Sequence, residues 1–293
     1  MRFNVKEIDD NYNFDITASS FIGRPIDGTV LFLTDKVKGL LLNMSGHKNC
    51  LVFVDDTIEI PDELKAYNCF VSCKDAQTEY GKFACRVSEE EKKVERLRKY
   101  TLTPEGYTVG ENVIIGENSY IERGCLIDHD VVIGNGAEIL FGSVIRHARI
   151  GDNFHCAENV VIGTEPYFYA GEPKFRIPAF GKVIIGDNVE FGSHVVIEKG
   201  FNSDTVIMDD VKLDAHVSIG HDDVLKKGVQ MTCGATLAGM VNVGEGAYIG
   251  MNATVKQRLD IGEDAMVGMG SVVITNVKPG RHVFGNPAKK ISL

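Results

Sequence analysis

Eight histidines, His47, His129, His147, His155, His194, His216, His221 and His282, are the residues of this chain best suited to moving a proton at neutral pH. His221 is followed directly by Asp222, a carboxylate able to orient the imidazole. An amine is mostly ammonium at neutral pH and attacks a carbonyl only after losing a proton. A histidine base suits that step and contributes about 10²–10⁴-fold. A second chemistry uses the same ring type: His194, His216 and His221, with a water, would satisfy a catalytic zinc. The cysteines offer less. Cys233 has no activating neighbour, so it is not expected to act as a nucleophile.

The element that must position these residues is announced by a spacing of six. Phe201, Ile207, Leu213, Ile219, Leu225, Met231, Leu237, Val243, Ile249, Val255, Ile261, Val267 and Val273 are all large and apolar. Neither a helix, of period 3.6, nor a half-buried strand, of period 2, keeps such a series. A short repeat that cannot bury its apolar residue alone must stack on its neighbours, which predicts a solenoid of short strands. Glycines after the apolar residue, as at Gly220, Gly244, Gly250, Gly262 and Gly268, fit tight corners. His221 follows such a corner, so its side chain is expected to leave the solenoid. Earlier phases run through Val109, Ile115, Ile121, Ile127, Ile133, Ile139 and Ile145, then Ile150, Cys156 and Ile162, then Ile185, Phe191 and Ile197. Three hexads per triangular coil at about 4.8 Å per coil give roughly eight coils and a prism about 40 Å long. Its largest interruption, residues 164–182, holds Tyr167 and Tyr169 and is expected to be a substrate-contacting or subunit-contacting loop.

Residues 1–87 have another texture. Apolar runs at 29–33, 51–54 and 69–71 alternate with helical stretches near 36–43, 61–67 and 74–84, which predicts a small α/β domain. Residues 88–100, rich in Glu, Lys and Arg, predict a solvated helical linker; 101–276 is the prism and 277–293 a tail.

A net charge of −10 argues against nucleic acid as a partner. Seven cysteines without a CxxC pair predict reduced thiols, and no signal peptide or membrane span is visible. A cytoplasmic protein is expected.

Hexads such as 115–120 and 261–266 resemble those of the hexapeptide-repeat acyltransferases. The resemblance implies a left-handed parallel β-helix with a small N-terminal α/β domain, and a homotrimer. Gly28 to Leu33, residues 167–169 and residues 182–188 are similar to the UDP-3-O-acylglucosamine N-acyltransferases of lipid A biosynthesis. From His221 through Lys289 the chain is more similar to acetyl-CoA-dependent transferases of nucleotide-linked amino sugars. In both branches the catalytic histidine lies eighteen residues before a glycine whose N–H receives the thioester oxygen, a spacing shared by His221 and Gly239. The resemblance thus implies His221 as base, Asp222 as its partner and Gly239 as oxyanion donor.

The departures bear on the substrates. Where the lipid A enzymes carry a second histidine this chain has Arg258; where they carry Tyr and Asn near the stacking aromatic, matched by Phe32, it has Lys38 and Asp35. Leu293 falls directly after the turn 285–289, without the C-terminal helices those enzymes use around acyl carrier protein, and Lys256, Arg258, Lys278, Arg281, Lys289 and Lys290 gather positive charge suited to CoA phosphates. The expected reaction is transfer from acyl-CoA, a co-substrate, to the amine of a nucleotide-linked amino sugar, with no bound cofactor or metal. Phe32, Asp35, Tyr167, Tyr169 and His216 are the candidate substrate contacts. The runner-up is the lipid A N-acyltransferase with an acyl carrier protein donor. A zinc enzyme resembling the γ-class carbonic anhydrases and a non-enzymatic scaffold stand behind it.

Overall fold

A chain that is apolar at every sixth residue can bury all those side chains only if it turns by a third of a circle at each step. In the computed structural model, which describes residues 3–290, it does so. Strands mostly two residues long stack in parallel ladders in which Ile219 pairs with Leu237, Leu213 with Met231 and Leu225 with Val243. Three sheets result, of ten, ten and eight strands. Each apolar hexad residue faces inward: Ile127, Ile139, Ile207, Ile249 and Val255 are fully buried in one continuous core. Burying each such side chain stabilises the fold by about 1.5–3 kcal/mol. The corners demand left-handed backbone, which Asn and Asp tolerate. Accordingly Asn118, Asn188, Asp210 and Asp264 occupy it, with φ of 58°, 57°, 60° and 50°.

The open edges of the prism are closed by antiparallel strands. Thr101–Leu102 pairs with Thr108–Val109 at one end, and Lys289–Lys290 pairs with Val283–Phe284 at the other. The expected boundary at 276 is therefore too early, because His282–Phe284 still adds to the parallel ladder on Met266–Val267. Residues 291–293 of the expected tail, and 1–2 of the first domain, lie outside the described residues.

The chain divides into two compact units, 1–97 with 167–181 and 201–203, and 98–166 with 182–200 and 204–293. In the first, Ala18–Ser19, Thr29–Leu33, Leu51–Asp55 and Cys69–Cys73 form a parallel sheet in sequence order. Alternation splits its side chains between two cores, with Val30, Leu51 and Phe53 in one and Leu31, Leu33, Val52 and Val54 in the other.

Three expectations are corrected here. The linker is not separate, because Ala76–Glu95 is one helix, capped by the Asp75 carboxylate on the Thr78 N–H, that buries Val87 and Ser88. Residues 167–181 belong to the first unit: Tyr169–Ala170 and Phe175–Arg176 form a hairpin, and Ile177 is fully buried in that unit's core against Gly81. Phe201 continues the six-residue series by number only. Its ring lies 4.4 Å from that of Phe168 and 6.2 Å from that of Tyr80, so the uninterrupted series begins at Ile207.

Candidate active site

The strand Ser218–Ile219 ends at a corner formed by Gly220, His221 and Asp222. Successive coils pass so close here that a Cβ on Gly220 would lie 2.6 Å from the Gly239 nitrogen. Asp222 adopts the left-handed conformation, φ 60°. Its carboxylate meets His221 Nδ1 at 2.6 Å, with the imidazole 18% exposed and the carboxylate 4% exposed. A buried acid thus holds one nitrogen of the ring, a contact that fixes the orientation of the imidazole. The backbone of the corner is fixed from several sides. The His221 N–H donates to Glu198 Oε2 at 3.1 Å, the Asp222 N–H to Thr205 Oγ1 at 3.0 Å, and the Met240 N–H to the His221 carbonyl at 2.9 Å.

Gly239 stands on the next coil, directly beside the ring. A Cβ there would lie 2.6 Å from His221 Nε2, so any other residue would press on that nitrogen. Among the described residues no protein acceptor takes the Gly239 N–H. The residues expected as base, partner and oxyanion donor are therefore gathered at one corner.

The other expected contacts separate. Lys256 and Arg258 follow Thr254–Val255, the strand stacked on Thr236–Leu237, so they continue the His221 corner one coil beyond Gly239; the Arg258 N–H donates to the Gly239 carbonyl at 3.2 Å. Arg281 and Lys290, with Lys278, line a cavity of about 350 Å³ where Val273, Val277 and Val283 meet no further coil. Lys289 is exposed on the terminal strand. His216 lies on a different corner, because five residues carry the chain almost one hexad and so to the next edge of the prism. Its ring stacks on that of His194, centroids 5.0 Å apart and planes within 2°. Among the described residues no group of three or more His, Cys, Asp or Glu side chains could hold a metal ion.

Phe32, Asp35, Tyr167 and Tyr169 belong to the first unit. The Phe32 ring packs 5.0 Å from Tyr80 within its core. Asp35 accepts from the Thr57 hydroxyl, and its N–H donates to Asp55 Oδ2 at 2.8 Å. Tyr169 accepts from Arg176 at 2.7 Å and lies under its guanidinium, while Tyr167 is 81% exposed.

Sequence reasoning missed several groups along the sheet that leads to the His221 corner. Lys199 is buried and paired with Glu165 at 2.8 Å. Burial, with Lys199 nearby, pulls the His147 imidazole down to about 4. Asp223 is fully buried. Burial pushes its carboxyl well above the usual carboxylate range, against the Val241 and Gly220 N–H groups that lower it, and Asp222 and Glu198 add to the rise. One signal was available. Lys199 and His147 follow strands, Val196–Glu198 and Val144–Ile145, of the same sheet that leads to His221.

Comparison with known proteins agrees with this architecture. Residues 112–147 match the family described as bacterial transferase hexapeptide (six repeats). A UDP-3-O-acylglucosamine N-acyltransferase 2 of Legionella pneumophila (strain Paris) is 39% identical over 150 residues, 50% of this chain and 44% of that protein. A UDP-3-O-acylglucosamine N-acyltransferase of Polynucleobacter asymbioticus is 32% identical over 125 residues, 41% of this chain and 34% of that protein. The chain thus spans less than half the length of these curated relatives. Among solved structures, the UDP-N-acetylglucosamine acyltransferase from Campylobacter jejuni matches with a TM-score of 0.59 and 26% identity, over 66% of this chain and 75% of that one. No helix among the described residues is long and apolar enough to cross a membrane. With its inward hexads, its three parallel sheets and these neighbours, the chain has the left-handed parallel β-helix fold, and residues 112–147 carry the hexapeptide repeats of that transferase family.

Proposed function

We propose that the protein is an N-acyltransferase acting on the free amine of a UDP-linked amino sugar, in the manner of the UDP-3-O-acylglucosamine N-acyltransferases it is similar to. The observation that carries this is the His221 corner, where the Asp222 carboxylate meets Nδ1 and Gly239, which has no Cβ, lies against Nε2. The sugar amine, once neutral, attacks the thioester carbonyl while Nε2 takes its proton. The oxygen that becomes negative meets the Gly239 N–H, a contribution of about 10²–10³-fold. Collapse breaks the carbon–sulfur bond, and the imidazolium returns the proton to the departing thiolate. The acyl group goes directly from sulfur to nitrogen. Cys233 follows Gln230–Met231, in another sheet from the strand leading to His221, and plays no part.

The named relatives support a lipid A type substrate more strongly than the CoA-fed acetylation that residues 221–289 suggest. A second reading of the donor, acyl-CoA in place of acyl carrier protein, is supported by Lys256 and Arg258 on the His221 corner. Lys289 and Lys290 lie on the last strand of another sheet, Arg281 just precedes the strand His282–Phe284 of that sheet, and all three are weaker candidates. A homotrimer working in the cytoplasm completes the proposal.

Thiol release from a 3-hydroxyacyl carrier protein, from acetyl-CoA and from a long acyl-CoA, each with UDP-linked 3-O-acylglucosamine, tests it. Turnover with the carrier protein alone gives the lipid A reading, and turnover with CoA alone gives the second. Silence with every donor sinks the proposal.

A further inference from the structure

Just before each strand, the hexads place a small or apolar inward residue. Val217, Val229, Ala235, Val241 and Ala247 fill this position around the His221 coil, and all are fully buried. Asp223 occupies it between His221 and Val224 and is equally buried. A carboxyl group inside an apolar prism costs several kcal/mol unless its hydrogen bonds are met. They are met on two coils at once. Oδ2 accepts the Gly220 N–H at 3.0 Å, on the residue before His221, and Oδ1 accepts the Val241 N–H at 2.7 Å, two residues after Gly239.

Other inward polar residues tie coils together more simply. Ser119 Oγ accepts the Ala137 N–H at 3.2 Å and Ser143 Oγ the Val160 N–H at 3.2 Å, each binding the next coil only. Asp223 differs in reaching back to its own corner as well. Thr205, one coil earlier and also fully buried, holds the Asp222 N–H from the other side. The interior of the prism is therefore polar just beneath the base, where the fold alone asks for valine or alanine.

We propose that Asp223 is a positioning residue for acyl transfer: its carboxyl clamps the Gly220 corner to the Val241 strand and so fixes the His221 ring against the Gly239 N–H. The group touches neither substrate and acts through the two backbone segments. The inference rests on the proposed catalytic role of His221.

The test replaces Asp223 by the residue that the neighbouring coils carry. Asp223→Val is expected to melt at the wild-type temperature or above, since Val241 already fits the equivalent site. Its kcat is expected to fall by about ten to a hundredfold, the effect of a small misplacement of a catalytic group, with KM values within about twofold. The probes are UDP-linked 3-O-acylglucosamine with 3-hydroxyacyl carrier protein and with acetyl-CoA. A second measurement needs no turnover: the His221 ring resonances in nitrogen-15 NMR are expected to shift or broaden in Asp223→Val. Should the wild type be silent with both donors, the functional reading fails while the NMR arm still decides the clamp. Should the valine variant not fold, Asp223→Ser, which retains a Val241 acceptor but loses the Gly220 bond, replaces it in both arms. A folded variant with wild-type kcat, or with wild-type His221 resonances, overturns the proposal.

Discussion

His216 and His221 are five residues apart, both on corners of one prism, and the fold gives them opposite surroundings. His216 stacks on His194 and has no acidic side chain among its described partners. His221 has a buried carboxylate at 2.6 Å on one nitrogen and a glycine of the next coil against the other. Local sequence supplies one part of the difference, since Asp222 follows His221 while Val217 follows His216. A further difference lies eighteen residues away along the chain and one coil away in space, where Gly239 puts no side chain against the His221 ring. A solenoid builds its site by register.

Several changes would break or sharpen this contrast. The largest expected effect is from Gly239→Ala, whose Cβ would fall on His221 Nε2. Turnover should drop by about 10²–10⁴-fold, the scale of a lost general base, with an unchanged circular dichroism spectrum; a fully active variant would mean that Nε2 is not the working nitrogen. Asp222→Asn should retain the shape of the contact and remove its charge, lowering kcat on the order of 10–10²-fold, part of what a general base supplies.

His147 sharpens the contrast through pH. Burial and Lys199 depress its pKa from 6.5 to about 4, with Arg146 acting the same way and Asp128 and Glu165 opposing. The native state therefore resists a proton that the unfolded chain accepts. Stability contributed by the neutral ring is fully present above pH 6.5 and is lost as pH falls toward about 4. The loss is on the order of 1–3 kcal/mol across that window. Denaturant titrations at intervals through it should show the slope, and His147→Asn, which suits a left-handed φ of 49°, should flatten it. Ile133→Val, deep in a coil remote in sequence from His221, should cost about 0.5–1.5 kcal/mol of stability and leave turnover unchanged. Least of all, His216→Ala should alter turnover by less than about twofold, within the ±0.5 kcal/mol of an ordinary surface change.

Much of the prism was legible because burying one side chain per hexad leaves a periodic trace. The ladders joining Ile207 to Leu225 and Leu237 to Val255 follow that trace directly. Phe201 misled because spacing records number and not direction: an aromatic six residues before Ile207 satisfies the series whether it points into the prism or into another unit. The hairpin 167–181 was legible as an insertion, but not its membership of the first unit, which depends on Ile177 meeting a glycine at position 81. The long helix Ala76–Glu95 hid behind its own charges, since its second half is a solvated surface in sequence and a continuous helix in space. At the candidate site, the meeting of His221, Asp222 and Gly239 at one corner was legible through resemblance and register together. Asp223 and Thr205 were not. A carboxyl bound to two backbone N–H groups on different coils leaves no motif, only a polar residue where the repeat expects an apolar one.

The most direct measurement sets His221→Ala beside His216→Ala and the wild type, reading thiol release with UDP-linked 3-O-acylglucosamine and whichever donor the wild type uses. The account predicts that His221→Ala loses about 10²–10⁴ in kcat while His216→Ala stays within about twofold of the wild type. Equal losses in both variants, or a His221→Ala protein that turns over like the wild type, would contradict it.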